Sequence, residues 1–222
     1  MGRERMEYIR ESGVREAEKF YILAYEGDKT EAKYFRALRS SVYFNDSGKI
    51  EIIPLKRPER TDTDPMSVKR RLSVIKRDVN FKGTDEFWLL IDRDDWETNH
   101  KISFDELVQE CKSEKNFYLA MSNPCFELWL LLHFKKLSDF SDEVQSLIYE
   151  NAKISKSRNY ISTLFESILG RGISKKPNMN LFIPYVYTAI ANAKELTVIN
   201  EPYPSRVGSD VYKLVEKIVK DV

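Results

Sequence analysis

Three stretches of this chain set a carboxylate just beyond an apolar run. Glu26 follows FYILAY, Asp92 and Asp94 follow FWLLI, and Glu127 comes shortly after the apolar residues Phe117–Met121. Carboxylates converging without histidine or cysteine companions suit a hard, oxygen-seeking cation, Mg²⁺ with Mn²⁺ as a substitute, rather than zinc. An ion so held polarises a phosphodiester and activates water for in-line attack. Each piece has a plainer explanation. A Glu-Gly pair after a strand is common, and Glu127 could simply complement a helix N-terminus. Two acids in a D-x-D repel unless a cation or a base compensates; Arg93 could supply that base, and Asp95 could be merely solvated. Their joint occurrence, in order, at the ends of successive apolar runs favours metal binding.

The surrounding pattern predicts the elements that position these acids. FYILAYEG reads as a buried strand, and Asp28 with Glu31 forms an N-cap pair for a helix carrying Tyr34, Phe35, Leu38 and Val42 at helical spacing. KIEIIPL is a second strand, and Asp64–Pro65 opens a helix with Val68, Leu72, Ile75 and Val79 on one face. FWLLI is a third strand, running into DRDD. Ser103 and Glu106 make a capping box before the helix of Leu107 and Cys111, Phe117–Met121 is a fourth strand, and Asn123–Pro124 caps the apolar helix CFELWLLLHF. Alternating strands and helices imply an α/β fold, a mainly parallel four-stranded sheet flanked by helices. Ligands of such sheets bind at the carboxyl ends of the strands. Beyond about Leu137 the strand signal fades, and 141–154, 160–169, 181–196 and 209–222 read as helices. The predicted organisation is a polar lead-in over 1–18, an α/β domain over 19–136, and a helical extension over 137–222 packed on it.

With 36 basic and 35 acidic side chains the molecule offers no strong overall field, so any nucleic-acid contact must be local. One candidate is the stretch holding Arg57, Arg60, Lys69, Arg70 and Arg71; another is the loop with Arg171, Lys175 and Lys176. Cys111 and Cys125 read as buried thiols, and His100 and His133 are too few for a zinc cluster. His133 lies nearly opposite Glu127 by helical rotation and is expected to be structural. No apolar run approaches the ~20 residues of a membrane span, and a cytoplasmic location is expected.

Several motifs together resemble a known family. Tyr25-Glu26-Gly27-Asp28-Lys29-Thr30-Glu31 with Tyr34-Phe35, the Asp92-Arg93-Asp94 triplet, and Ser122-Asn123-Pro124-Cys125-Phe126-Glu127-Leu128-Trp129 through His133-Phe134 resemble signatures of RloB-like proteins. Ala189–Leu196 and the segment around Val211–Val215 resemble the family's C-terminal part. The resemblance implies a toprim-like fold with Glu26, Asp92 and Asp94 binding divalent metal. It further implies a role in abortive infection or restriction-associated antiphage defence, beside an ABC- or SMC-like ATPase of the same locus. Lys175 and Lys176 both stand where a downstream lysine is expected.

The leading expectation is a Mg²⁺-dependent nuclease acting on DNA or tRNA, with Glu26 as metal ligand or general base and Asp92 and Asp94 holding the ion. Glu127 would orient a supporting group or a second ion; Thr30 and Glu31 would brace the glycine turn, and Asn123 would support the same edge. The alternative is a non-catalytic regulatory subunit of an ATPase complex, and a homo-oligomer stays open. Nucleotidyl transfer is disfavoured because no glycine-rich phosphate loop of the G-x-x-x-x-G-K-[S/T] type is present.

Overall fold

A computed structural model describes residues 19–25, 30–45, 50–54, 64–78, 81–93, 103–155, 158–170 and 177–221. Four parallel strands form the body of the sheet: β1 (Lys19–Tyr25), β2 (Ile50–Pro54), β3 (Glu86–Asp92) and β4 (Phe117–Asn123). They are connected through α1 (Thr30–Arg39), α2 (Pro65–Asp78) and α3 (Phe104–Ser113), as the alternating pattern predicts. After β4 come α4 (Phe126–Leu131), α5 (Asp142–Glu150), a small hairpin of β5 (Lys153–Ser155) and β6 (Arg158–Asn159), and α6 (Tyr160–Leu169). The chain closes with α7 (Val186–Glu195), β7 (Gly208–Ser209) and α8 (Val211–Ile218).

The strand order is β2-β1-β3-β4-β7. From β1 the chain moves to one side to reach β2, then crosses back over β1 to reach β3. Right-handed crossovers require the connecting helices to change face when the direction reverses. They do: Tyr34, Phe35 and Leu38 of α1 pack with Tyr21, Leu23, Trp88 and Leu90, whereas Val68 and Leu72 of α2 and Phe104 and Leu107 of α3 pack with Ile22, Phe87 and Leu89 on the opposite face. The reversal lies between β1 and β3, and it makes the crevice at their carboxyl ends the natural ligand position.

The sheet exceeds the four strands expected. Gly208 and Ser209 add a fifth, antiparallel strand on the free edge of β4, pairing with Asn123 and Ser122. Two residues carry no periodicity, so sequence pattern cannot reveal such a strand. Gly208 fits there because a Cβ would come within 3.1 Å of the Pro204 Cβ. The C-terminal residues are also continuous with the core: Phe182, Val186, Ala189, Leu214 and Val215 share one apolar cluster with β1, β3 and α4.

Three of the predicted C-terminal helices are shorter than their patterns. The helix expected over 141–154 stops at Glu150, because Asn151 turns left-handed (φ 43°), a conformation asparagine tolerates at helix ends. Its side chain fixes the turn by accepting from the Ile161 N–H at 3.1 Å. The helix expected from 181 is broken into two 3₁₀ turns, Met179–Leu181 and Ile183–Tyr185, before α7 begins; Pro184 lacks the N–H that a continuous helix would use. The helix expected over 209–222 gives Ser209 to β7 and ends at Ile218, after which Val219 bridges to Phe44.

The amino edge of the sheet is held by charge pairs. The buried Glu86 carboxylate receives Lys19 Nζ at 2.7 Å, Lys217 Nζ at 3.0 Å and Trp88 Nε1 at 2.9 Å, tying α8 to β1 and β3. Burial alone would push its pKa up; these three donors outweigh that and bring it below the ordinary range. Lys69, expected on a basic surface stretch, is instead buried between α2 and α3, paired to Glu114 at 2.7 Å and Glu110 at 3.3 Å. Its ammonium is committed to fold rather than to phosphates; Arg57 and Arg60 of the same stretch lie outside the described residues. Among the described residues no helix is long and apolar enough to cross a membrane. Both cysteines are free and buried, and burial lifts the Cys111 thiol to about 11.

Candidate functional site

Asp92 is the last residue of β3, at the carboxyl edge of the sheet and half-buried. β3 pairs with β1 up to Leu90 opposite Tyr25, so Tyr25 and Asp92 flank the crevice where the strand order reverses. Glu26 and Asp94 fall outside the described residues, as do Asp28, Arg171, Lys175 and Lys176. Among the described residues no three histidine, cysteine, aspartate or glutamate side chains cluster as a metal site. The donor type at the crevice nevertheless fits a hard cation: Asp92 offers carboxylate oxygens, the ligands such ions prefer.

Strand alternation places Asp92 on the same face as Trp88 and Leu90, and Ser122 on the same face as Ala120. Asp92 registers with Ser122, and Ser122 registers with Ser209. Three polar side chains thus stand in a row across β3, β4 and β7. The two serine hydroxyls are 2.9 Å apart and buried. Sequence reasoning did not single out either serine as a functional group.

The first turn of α1 supplies Thr30 and the buried Glu31. Phe35, one turn on, stacks against Tyr25 with ring centroids 5.9 Å apart. The Tyr25 hydroxyl is buried at this end of β1 with no hydrogen-bond partner among the described residues. Burial, and then the Glu31 charge, drives its pKa up. Glu127 sits in the first turn of α4, half-buried, where the positive end of the helix favours an anion. It makes no ion pair among the described residues.

Asn123 does not cap α4. It ends β4, and the N-cap position falls to Cys125, which makes no side-chain capping bond. The Asn123 amide instead donates to the Pro204 carbonyl at 3.0 Å. The Arg93 guanidinium, in the middle of the D-R-D triplet, donates to the neighbouring Ser205 carbonyl at 2.6 Å, and the Tyr203 hydroxyl reaches Asp105 at 3.1 Å. The segment between α7 and β7 is therefore strapped across the carboxyl ends of β3 and β4 by polar residues from both motifs. Beside it lies a shallow cleft lined by Thr197, Tyr203, Ser209, Asp210 and Lys213. Asp210 is buried there; burial raises its carboxyl pKa while Lys213, 2.8 Å away, draws it back.

His133 is structural, as expected. Its Nδ1 lies 2.9 Å from the Trp129 carbonyl, which can only accept, so Nδ1 carries the proton and Nε2 accepts from the Tyr34 hydroxyl at 3.1 Å. Burial lowers its pKa to about 4. The folded state therefore refuses a proton that the unfolded chain accepts near pH 6.5. This contribution to stability is complete above that pH, falls as pH drops toward about 4, and changes no further below it. Between pH 7 and 5 the expected loss is about 2 kcal/mol from this group. Urea unfolding at the two pH values should show it, and His133→Gln should flatten that part of the slope; an unchanged slope would refute the assignment.

The fold is that of an α/β protein, a mostly parallel sheet flanked by helices, with an acid at its switch point. A family model described as RloB-like protein matches residues 21–218, and the chain belongs to the RloB-like family. No curated protein and no solved structure matches it.

Proposed function

We propose that this protein is a Mg²⁺-dependent toprim-type nuclease, the effector of an antiphage system controlled by a partner ATPase. The observation that carries the reading is Asp92, which ends β3 beside the crevice where the strand order reverses. Glu26 follows the last residue of β1, and Asp94 follows Asp92 by two positions, so the sequence supplies two further carboxylates directly beyond these strand ends. Asp92, Asp94 and Glu26 would hold the ion, with Mn²⁺ able to substitute. When bound, Mg²⁺ supplies charge stabilisation on a phosphodiester oxygen and a more acidic water. Glu26 acts as ligand or as the base that receives the proton of the attacking water. Glu127, in the first turn of α4, orients a supporting group or a second ion.

The test is cleavage of plasmid DNA and of tRNA by the purified protein in Mg²⁺, with the ATPase of the same locus present. Wild type is expected to cut one of them, and Glu26→Gln and Asp92→Ala to abolish cutting. Full activity and metal binding in both variants would show that the site lies elsewhere. Defence that survives both substitutions in cells would indicate a non-catalytic regulatory subunit.

A further inference from the structure

Three consecutive residues of the segment between α7 and β7 are tied to three different elements. The Tyr203 hydroxyl donates to Asp105 Oδ1 in the first turn of α3 at 3.1 Å, and its ring lies against Phe104 with centroids 5.9 Å apart. The Pro204 carbonyl accepts from the Asn123 amide, at the end of β4, at 3.0 Å. The Ser205 carbonyl accepts from the Arg93 guanidinium at 2.6 Å. Glu201 closes the segment on itself, taking the Ser205 N–H at 3.2 Å and its hydroxyl at 2.9 Å. Arg93 is thereby held at both ends. Its backbone N–H donates to the Ser122 carbonyl at 2.9 Å, and its side chain reaches the strap. This residue directly follows Asp92 and directly precedes Asp94. The Arg93–Ser205 bond is open to solvent, where water competes and a hydrogen bond adds only modestly to stability. What it fixes instead is the place of the residue that joins the two acids.

We propose that Arg93 is a positioning residue for the metal site: braced on the 203–205 strap, it holds the Asp92-Arg93-Asp94 triplet in place for a divalent ion before the ion arrives. This rests on Asp92 being a metal ligand, as proposed above. Losing a group that orients a metal's ligands without touching the metal costs about 10- to 100-fold in affinity or activity. A preset site also spares the ion the ordering of its own ligands. The brace differs in sign from the simpler reading of Arg93 as a base that neutralises its two acidic neighbours. A cation that merely offset the carboxylates would compete with the metal for them, so its removal would tighten metal binding. Removal of a brace weakens it. The strap lies in the C-terminal part of the chain, and through Arg93 and Asn123 that part completes the site rather than only packing against the sheet.

The experiment compares the intact chain as wild type, Arg93→Ala, Arg93→Lys, Tyr203→Phe and Asp92→Asn. Each is titrated with Mn²⁺, followed by the signal of the free ion, and each is followed without metal by hydrogen exchange over 201–207. Arg93→Ala is expected to bind Mn²⁺ at least about tenfold more weakly and to exchange faster over that segment. Arg93→Lys keeps the charge and a donor for the Ser205 carbonyl, and should stay within about threefold of wild type. Tyr203→Phe cuts the strap from α3 without touching the acidic triplet. It should exchange faster and bind Mn²⁺ about threefold more weakly, and it carries the test if Arg93→Ala does not fold. A strap that only held the fold would speed exchange and leave Mn²⁺ affinity alone. Tighter or unchanged Mn²⁺ binding in either Arg93→Ala or Tyr203→Phe, with Asp92→Asn losing the metal, overturns this proposal alone. Wild-type Mn²⁺ affinity in Asp92→Asn overturns the metal reading and this proposal with it, as does an absence of Mn²⁺ binding by wild type.

Discussion

Asp92→Asn is expected to weaken Mn²⁺ binding by at least about 100-fold and to reduce cleavage to background. Losing even a residue that only supports a metal ligand commonly costs 10- to 100-fold in affinity or activity, and a direct ligand should cost no less. The substitution keeps shape and removes charge, so the effect reads the carboxylate rather than the fold. Asp92 is half-buried and lies at the end of its strand rather than inside the core, so the folded state should tolerate the amide. Calorimetry with Mn²⁺ and thermal unfolding of the same preparation separate the two effects. Wild-type affinity together with a wild-type melting curve would remove Asp92 from the site.

The largest stability effect is expected from Trp129→Ala. Trp129 is 0% exposed and lies under the sheet edge in α4, with its ring edge-on to Tyr34 at 6.1 Å and to His133 at 5.1 Å. Deleting it leaves a void that Tyr34, itself buried and bonded to His133, cannot collapse to fill. Such truncations cost about 3–5 kcal/mol, which for a domain of this size lowers the melting temperature by about 6–20 °C. Trp129→Phe keeps most ring contacts and should lose less than half as much. Equal losses in the two variants would mean that the indole is not packed as described. α4 also carries Glu127, so Trp129→Ala should weaken whatever that carboxylate supports, whereas Trp129→Phe should spare it.

The sequence determined the parts of this protein whose signal is local and repeated. Apolar runs of strand length separated by helical spacing gave the four parallel strands and the three helices joining them, because burial on both faces of a parallel sheet demands continuous apolar strands. The position of Asp92 at a strand end was legible for the same reason: the apolar run of β3 stops there. The structural role of His133 followed from its angular offset from Glu127 on an otherwise apolar stretch.

Tertiary structure alone decided the rest. β7 is two residues long, and nothing in Gly208–Ser209 distinguishes a strand until the free edge of β4 is offered to it. Lys69 reads as one of several exposed cations, and only the packing of α2 on α3 brings Glu110 and Glu114 to it. Asn123 stands before a proline and a helix, as a cap would, but β4 extends through it and its amide meets a carbonyl 81 residues further on. Arg93 sits between two acids in sequence, yet it reaches a carbonyl 112 residues away. Ser122 and Ser209 are 87 residues apart and become neighbours only through the sheet. Local periodicity reports which face a residue turns to the core; it carries no record of which distant backbone will arrive to meet a polar side chain, and at this sheet edge that meeting decides which polar groups stand together.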